Sequence, residues 1–250
     1  MELNGKVAIV TGAAGGIGRC IALALSQRGM RLSLVGRNLD KLHEVAAEVG
    51  EIGGIALPAV CDVRSPAEVE RMVATTLEHY GRIDVLVNSA FWGPPASLDE
   101  TTEEFWDLTL DTTLKGPFLC ARAVAPVMRR QGGGRIVHIG SLAGKVGEDN
   151  RTAYCAAKWG LEGLTAALSV ELLRDNIHVH LISPAATNTG WWREVGAALT
   201  EQTLARMIPP EVVAEAVCWV LSQPDQVHIP DVPVYNFRNP FEGKGSPFER

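Results

Sequence analysis

Short runs of β-branched and aliphatic residues alternate along this chain with longer segments of helical period. The apolar runs are KVAIV (6–10), RLSLV (31–35), IALPAV (55–60), DVLVN (84–88), RIVHI (135–139) and HVHLI (178–182). Helix-like segments lie between them near 17–29, 39–50, 66–80, 102–130 and 152–174, with another at 210–222. Nearly all-apolar runs of this length, each followed by a helix, fit strands buried on both faces. The pattern predicts a doubly wound α/β fold, one parallel sheet of six to seven strands with helices on both faces. The seventh strand would run through VPVYN (232–236), where Pro230 and Pro233 confine it to an edge or an irregular pairing. No repeat or linker interrupts the pattern, so one domain is expected over 1–238, followed by a polar tail rich in Gly and Pro at 239–250.

Composition changes this picture little. At 250 residues, 46% hydrophobic and 21% charged, the chain is an ordinary globular domain at the upper end of what one core serves. A net charge of −6, without blocks of like charge, argues against nucleic-acid or anionic-membrane partners. No apolar stretch approaches the ~20 residues needed to cross a bilayer. Five widely spaced cysteines without a C-x-x-C read as reduced thiols, and the expected location is the cytoplasm. His178 and His180 share one face of a strand but have no third ligand, so core or partner packing is expected of them and no metal site.

The chemistry begins at TGAAGGIG (11–18), between the first strand and the first helix. Gly12, Gly16 and Gly18 there would let backbone approach a pyrophosphate, and the helix start supplies NH groups and a positive dipole end. Downstream, TAYCAAKWG (152–160) places Tyr154 and Lys158 four positions apart, on one face of a helix. A cation beside a phenol favours the phenolate, so Lys158 would lower the Tyr154 pKa.

In these motifs the chain resembles the classical short-chain dehydrogenase/reductase family over nearly its whole length. The T-G-x-x-x-G-x-G spacing, Asp62 after the third strand, NSA (88–90) after the fourth, Ser141 after the fifth and Y-x-x-x-K thirteen residues later all match. The resemblance implies hydride transfer between a nicotinamide and a carbonyl or alcohol carbon. Ser141 would bond the substrate oxygen, Tyr154 would pass the proton, and Lys158 would tune Tyr154 and hold the nicotinamide ribose. It also implies cofactor contacts at Ile17 in the glycine turn, Asp62 and Val63 near the adenine, and Asn88 and Ala90 along the dinucleotide. Pro184, Thr187 and Thr189 would lie at the nicotinamide and pyrophosphate. Where NAD-specific members carry a carboxylate at the end of the second strand, this chain has Gly36 and then Arg37. A guanidinium there suits a 2′-phosphate, so NADP(H) is the expected cofactor. Homodimers or homotetramers are expected, and the small residues Ala153, Ala156, Ala157, Gly160 and Gly163 suit helix pairing, although packing within the chain explains them almost as well.

Three positions depart from the family pattern. Phe91 replaces a glycine beside the cofactor, Ala185 replaces the glycine after Pro184, and Thr113 stands at the family's catalytic Asn. That Asn acts through its main-chain carbonyl at a helix kink. Pro117, four residues on, lacks the NH that would occupy the Thr113 carbonyl, so the role is expected to survive. The variable segment 189–210 is the expected substrate loop. There Trp191 and Trp192, with Phe91 and Trp92, would form an aromatic wall for an apolar or ring-bearing substrate, or else a lid packed on its own domain. EDNR (148–151) places charge at the mouth. Two functions stand: an NADP(H)-dependent carbonyl reductase or alcohol dehydrogenase, and a non-catalytic NADP(H)-binding protein on the same fold.

Overall fold

A computed structural model describes residues 1–197 and 199–241. Seven strands, β1 (Val7–Thr11), β2 (Arg31–Gly36), β3 (Ile55–Val60), β4 (Val85–Asn88), β5 (Gly134–Ile139), β6 (Ile177–Pro184) and β7 (Asp231–Val234), form one sheet. All pairings are parallel and the order is β3-β2-β1-β4-β5-β6-β7. Pro58 of β3 and Pro233 of β7 lie on the two edge strands, where the missing N–H costs no internal ladder bond, and the internal strand β6 meets a proline only at its last residue, Pro184. Every residue of β1 and β4 is buried, which is why these strands carry no polar alternation.

Helices α1 (Gly16–Gln27), α2 (Leu39–Glu51) and α3 (Pro66–Tyr80) follow the first three strands. Ser65 caps α3 by accepting from the Glu68 N–H, and Pro66 opens the helix where an N–H would go unused. Beyond β4 come α4 (Glu103–Leu110) and α5 (Gly116–Gln131), then α6 (Thr152–Glu171) after β5. Two short helices follow, α7 (Trp191–Glu194), which lines the cleft, and α8 (Glu201–Arg206), before α9 (Pro210–Ser222) packs against α1 and β6. One core layer is built on Ile21, Leu25, Leu42, Val45, Val213 and Val217 from α1, α2 and α9. The opposite layer takes Val69, Met72, Leu119 and Val124 from α3 and α5.

The helix expected over 102–130 is not continuous. Between α4 and α5 the turn Asp111–Lys115 is a π-turn, in which the Gly116 N–H reaches back to the Asp111 carbonyl. Pro117 is the physical reason: its ring crowds the preceding turn and it has no N–H for the Thr113 carbonyl, so the backbone slips by one residue. Gly116 itself has no room for a Cβ, which would come 2.7 Å from Val63. On α6, a Cβ at Gly160 would meet Leu114 of the π-turn at 2.7 Å, so this small residue serves packing within the chain. No helix among the described residues is long and apolar enough to cross a membrane, and all five cysteines are free. Of the polar tail expected over 239–250, residues 242–250 lie outside the described residues.

Candidate functional site

Strand order reverses between β1 and β4, and a cleft of about 1210 Å³ opens there at the carboxyl ends of the strands. Its floor is the glycine turn. Thr11 Oγ1 accepts from the Ser89 and Ala90 N–H groups, drawing the chain after β4 against the turn. A Cβ at Gly12 would come 2.8 Å from the Ala90 nitrogen, and one at Gly18 would come 2.2 Å from the Gly12 carbonyl oxygen. Gly12 and Gly16 also carry φ of 67° and 51°, a region that side-chain-bearing residues avoid. Among the described residues no side chain caps the start of α1, so its first-turn N–H groups are left for an anion. Thr189 lies across the turn, its methyl 3.6 Å from where a Gly16 Cβ would stand. These donors and this clearance fit a dinucleotide pyrophosphate.

The far end of the cleft is basic. Arg37 and Lys41 line it in exposed positions just past β2. Arg64 lines it too, but its guanidinium is bound to the Asp62 carboxylate, with Nη2 to Oδ2 at 2.5 Å. That contact holds the Asp62 carboxyl below its ordinary range, with Arg37 adding a longer-range pull. A 2′-phosphate would therefore meet the charge of Arg37 and Lys41, while Asp62 is already neutralised.

At the other end, Ser141, Tyr154 and Lys158 open on the same cleft. Ser141 follows β5 and accepts from the Ala143 N–H at 3.2 Å, which fixes its rotamer. Tyr154 and Lys158 stand on α6, both buried. The expectation that Lys158 lowers the Tyr154 pKa is not met in this structure. Burial raises the phenol above its usual value, against an opposing pull from Arg151 and a side-chain hydrogen bond with Ser141. The Arg151 guanidinium sits 4.1 Å from the Tyr154 ring centroid, whereas Lys158 Nζ is 5.6 Å away and donates to the Ile139 carbonyl at 2.6 Å. Burial, reinforced by Arg151, pushes Lys158 down to about 7, so it is only partly charged at neutral pH and loses that charge as pH rises.

Of the residues singled out in sequence, Gly12, Gly16, Ile17, Gly18, Arg37, Asp62, Val63, Ala90, Phe91, Pro184, Thr187, Thr189, Trp191 and Trp192 also line the cleft. Three do not. Asn88 ends β4 facing the interior, only 3% exposed, and Ser89 and Ala90 make the wall instead. Trp92 turns away and packs on Phe105 of α4, ring centroids 4.7 Å apart. Thr113 is buried behind the wall, where its hydroxyl accepts from the Trp92 N–H at 3.1 Å and donates to the Trp92 carbonyl at 2.8 Å. Thr113 thus clamps the loop that carries Phe91 and Gly93 onto Tyr154. The aromatic wall is Phe91 against Trp191 (5.6 Å), Trp191 against Trp192 (5.0 Å), and Trp192 against Phe241 (5.5 Å). Phe241 belongs to the segment expected as a polar tail, and it lines the cleft with Asn239 and Pro240. Arg151 and Phe241 went unassigned in the sequence. EDNR signalled charge at the mouth without showing that Arg151 stacks on Tyr154, and no local pattern marks Phe241.

A family model described as short chain dehydrogenase matches residues 6–200. The chain is 36% identical to a D-threitol dehydrogenase of Mycolicibacterium smegmatis, over 88% of this chain and 87% of that one. It is 35% identical to a 3-oxoacyl-[acyl-carrier-protein] reductase of a Synechocystis species, over 91% and 93% of the two chains. Among solved structures, a metagenomic short-chain oxidoreductase in complex with NADP superposes with a TM-score of 0.81 at 35% identity, covering 94% of this chain and 98% of that one. A variant of the actinorhodin polyketide ketoreductase with NADPH gives a TM-score of 0.85 at 33% identity, covering 92% and 96%.

Proposed function

Because this chain belongs to the short-chain dehydrogenase family, we propose that it is an NADP(H)-dependent oxidoreductase acting on a carbonyl or secondary alcohol, of the carbonyl reductase type. The observation that carries this reading is the meeting, in one cleft, of an anion-binding glycine turn, a basic end at Arg37 and Lys41, and the set Ser141, Tyr154 and Lys158. Bound NADP(H) supplies or accepts the hydride. Gly12, Gly16, Ile17 and Gly18 would hold its pyrophosphate together with Thr189, and Arg37 its 2′-phosphate. Asp62, Val63 and Ala90 would line the adenosine side, and Lys158, Pro184 and Thr187 the nicotinamide side.

During reduction, negative charge grows on the carbonyl oxygen, and a donor aimed at that atom stabilises it. Ser141 Oγ hydrogen-bonds the oxygen and the Tyr154 hydroxyl delivers the proton. Burial keeps Tyr154 protonated at neutral pH, which suits a general acid, while Arg151 and Ser141 favour the phenolate left behind. Thr113 acts from behind, as the clamp on the Trp92 backbone, and its own carbonyl is kept from an α-helical partner by Pro117. The wall of Phe91, Trp191, Trp192 and Phe241 selects an apolar or ring-bearing substrate. The two named relatives act on different substrate classes, so the substrate is set by this chain's own walls.

The test is consumption of NADPH, and separately of NADH, against a panel of aldehydes, ring-bearing ketones and quinones. Turnover preferring NADPH and aryl or alicyclic ketones is expected. Tight NADPH binding with no turnover on any member would move the reading to a non-catalytic NADP(H)-binding protein.

A further inference from the structure

Three histidines meet on the sheet away from the cleft. His178 and His180 point the same way from β6, rings nearly parallel with centroids 6.1 Å apart. The partner that sequence spacing could not supply is His228, from the segment entering β7, with its ring 5.8 Å from His178 and 5.4 Å from His180. One ring nitrogen from each lies within 4.8 Å of the others. We propose that His178, His180 and His228 form a binding site for a divalent transition metal, Zn²⁺ being the best-matched biological ion.

The argument rests on His180. Its ring is fully buried, and Nδ1 bonds the Ile229 carbonyl at 2.6 Å, which makes Nδ1 the protonated nitrogen. Nε2 is therefore a lone-pair acceptor, and among the described residues it is buried without a hydrogen-bond partner. An orphaned buried acceptor is costly, and a metal ion satisfies it. A second-nitrogen bond to a backbone carbonyl is also how metal-binding histidines are oriented. His228 is likewise tethered, through Nε2 to Ser169 Oγ of α6 at 2.9 Å. With Zn–N bonds of ~2.0–2.1 Å, tetrahedral ligand nitrogens stand about 3.4 Å apart. Binding would draw the three nitrogens in from their present separations of up to 4.8 Å. Three imidazoles with an open fourth position suit Zn²⁺, Co²⁺ or Ni²⁺ better than hard ions that want oxygen. The ion would tie β6 to the approach of the edge strand β7.

Untagged full-length protein, stripped with chelator, is titrated with Zn²⁺ by calorimetry and thermal unfolding. One ion per chain and a Tm that rises with free Zn²⁺ are expected. His228→Ala, at an exposed ring, should keep the metal-free Tm yet weaken Zn²⁺ binding by at least ~100-fold, a ligand mattering no less than its outer-shell partners. Co²⁺-loaded protein should show d–d bands without a thiolate charge-transfer band. The proposal is overturned by absence of stoichiometric binding, by equal affinity in His228→Ala, or by a charge-transfer band that moves the ion to cysteine.

Discussion

Thr113→Val separates a positioning role from a chemical one at the position where the family carries its catalytic Asn. Valine fills nearly the same space, so the perturbation is loss of the hydroxyl and its two bonds to the Trp92 N–H and carbonyl. A half-buried backbone group stripped of its partner costs ~1–2 kcal/mol, the lower part of the buried range, and two such groups give about 2–4 kcal/mol of destabilisation. For a chain of this length that is a fall in Tm of about 5–15 °C, read by calorimetry or circular dichroism. The same loop bears directly on the proton donor: Phe91 meets the Tyr154 ring at 6.1 Å, and a Cβ on Gly93 would lie 2.7 Å from Tyr154 Cδ2. Loosening Trp92 lets Tyr154 drift, so kcat should fall by ~10-fold, short of the ~10²–10⁴-fold that loss of a proton-transfer group costs. Thr113→Ser keeps the hydroxyl and should restore most of both. A Thr113→Val protein as stable as the parent, yet ~10²–10⁴-fold slower, would refute the clamp and place the hydroxyl in the chemistry.

Arg37→Ala removes a charge-assisted contact to a 2′-phosphate worth ~1.5–3 kcal/mol, so NADPH should bind about 10–150-fold more weakly. Lys41 beside it keeps the loss toward the lower end, and NADH affinity should stay within a few-fold; equal losses measured by fluorescence titration would remove the 2′-phosphate assignment. Arg151→Leu removes the cation that opposes burial at Tyr154. The phenol pKa should then rise further: reduction needs the protonated phenol, so its kcat/KM is present at neutral pH and lost as pH climbs through that pKa. The alkaline limb should move upward in the variant, and a limb that stays put or moves downward would contradict the coupling.

The sheet was legible because buried parallel strands are apolar nearly throughout, and KVAIV and DVLVN declare themselves without reference to the rest of the chain. The glycine turn was legible for a similar reason: Gly12 and Gly18 are required by contacts within one βα unit, so the constraint is written locally. Pro117 announced a break, but not its form, since the choice of a π-turn depends on which carbonyl the displaced Gly116 N–H then finds. What stayed hidden depends on distant contacts. Trp92 reads as a cleft aromatic until Phe105 and Thr113 are seen to hold it elsewhere. Phe241 sits in a run of Gly and Pro that carries no period, and its place against Trp192 is set by tertiary packing. The Tyr154–Lys158 spacing correctly put both groups on one helix face, but burial, which spacing does not report, reversed the expected direction of the phenol shift.

The central claim is that Tyr154 delivers the proton to substrate in an NADP(H)-bound cleft. Tyr154→Phe, assayed on the best substrate of the panel alongside a direct titration with NADPH, tests it. The account expects kcat to fall by at least ~10²–10⁴-fold, the scale of a lost general acid, with NADPH affinity within a few-fold of the parent. Near-normal kcat in Tyr154→Phe, on a substrate the parent turns over well, would contradict it.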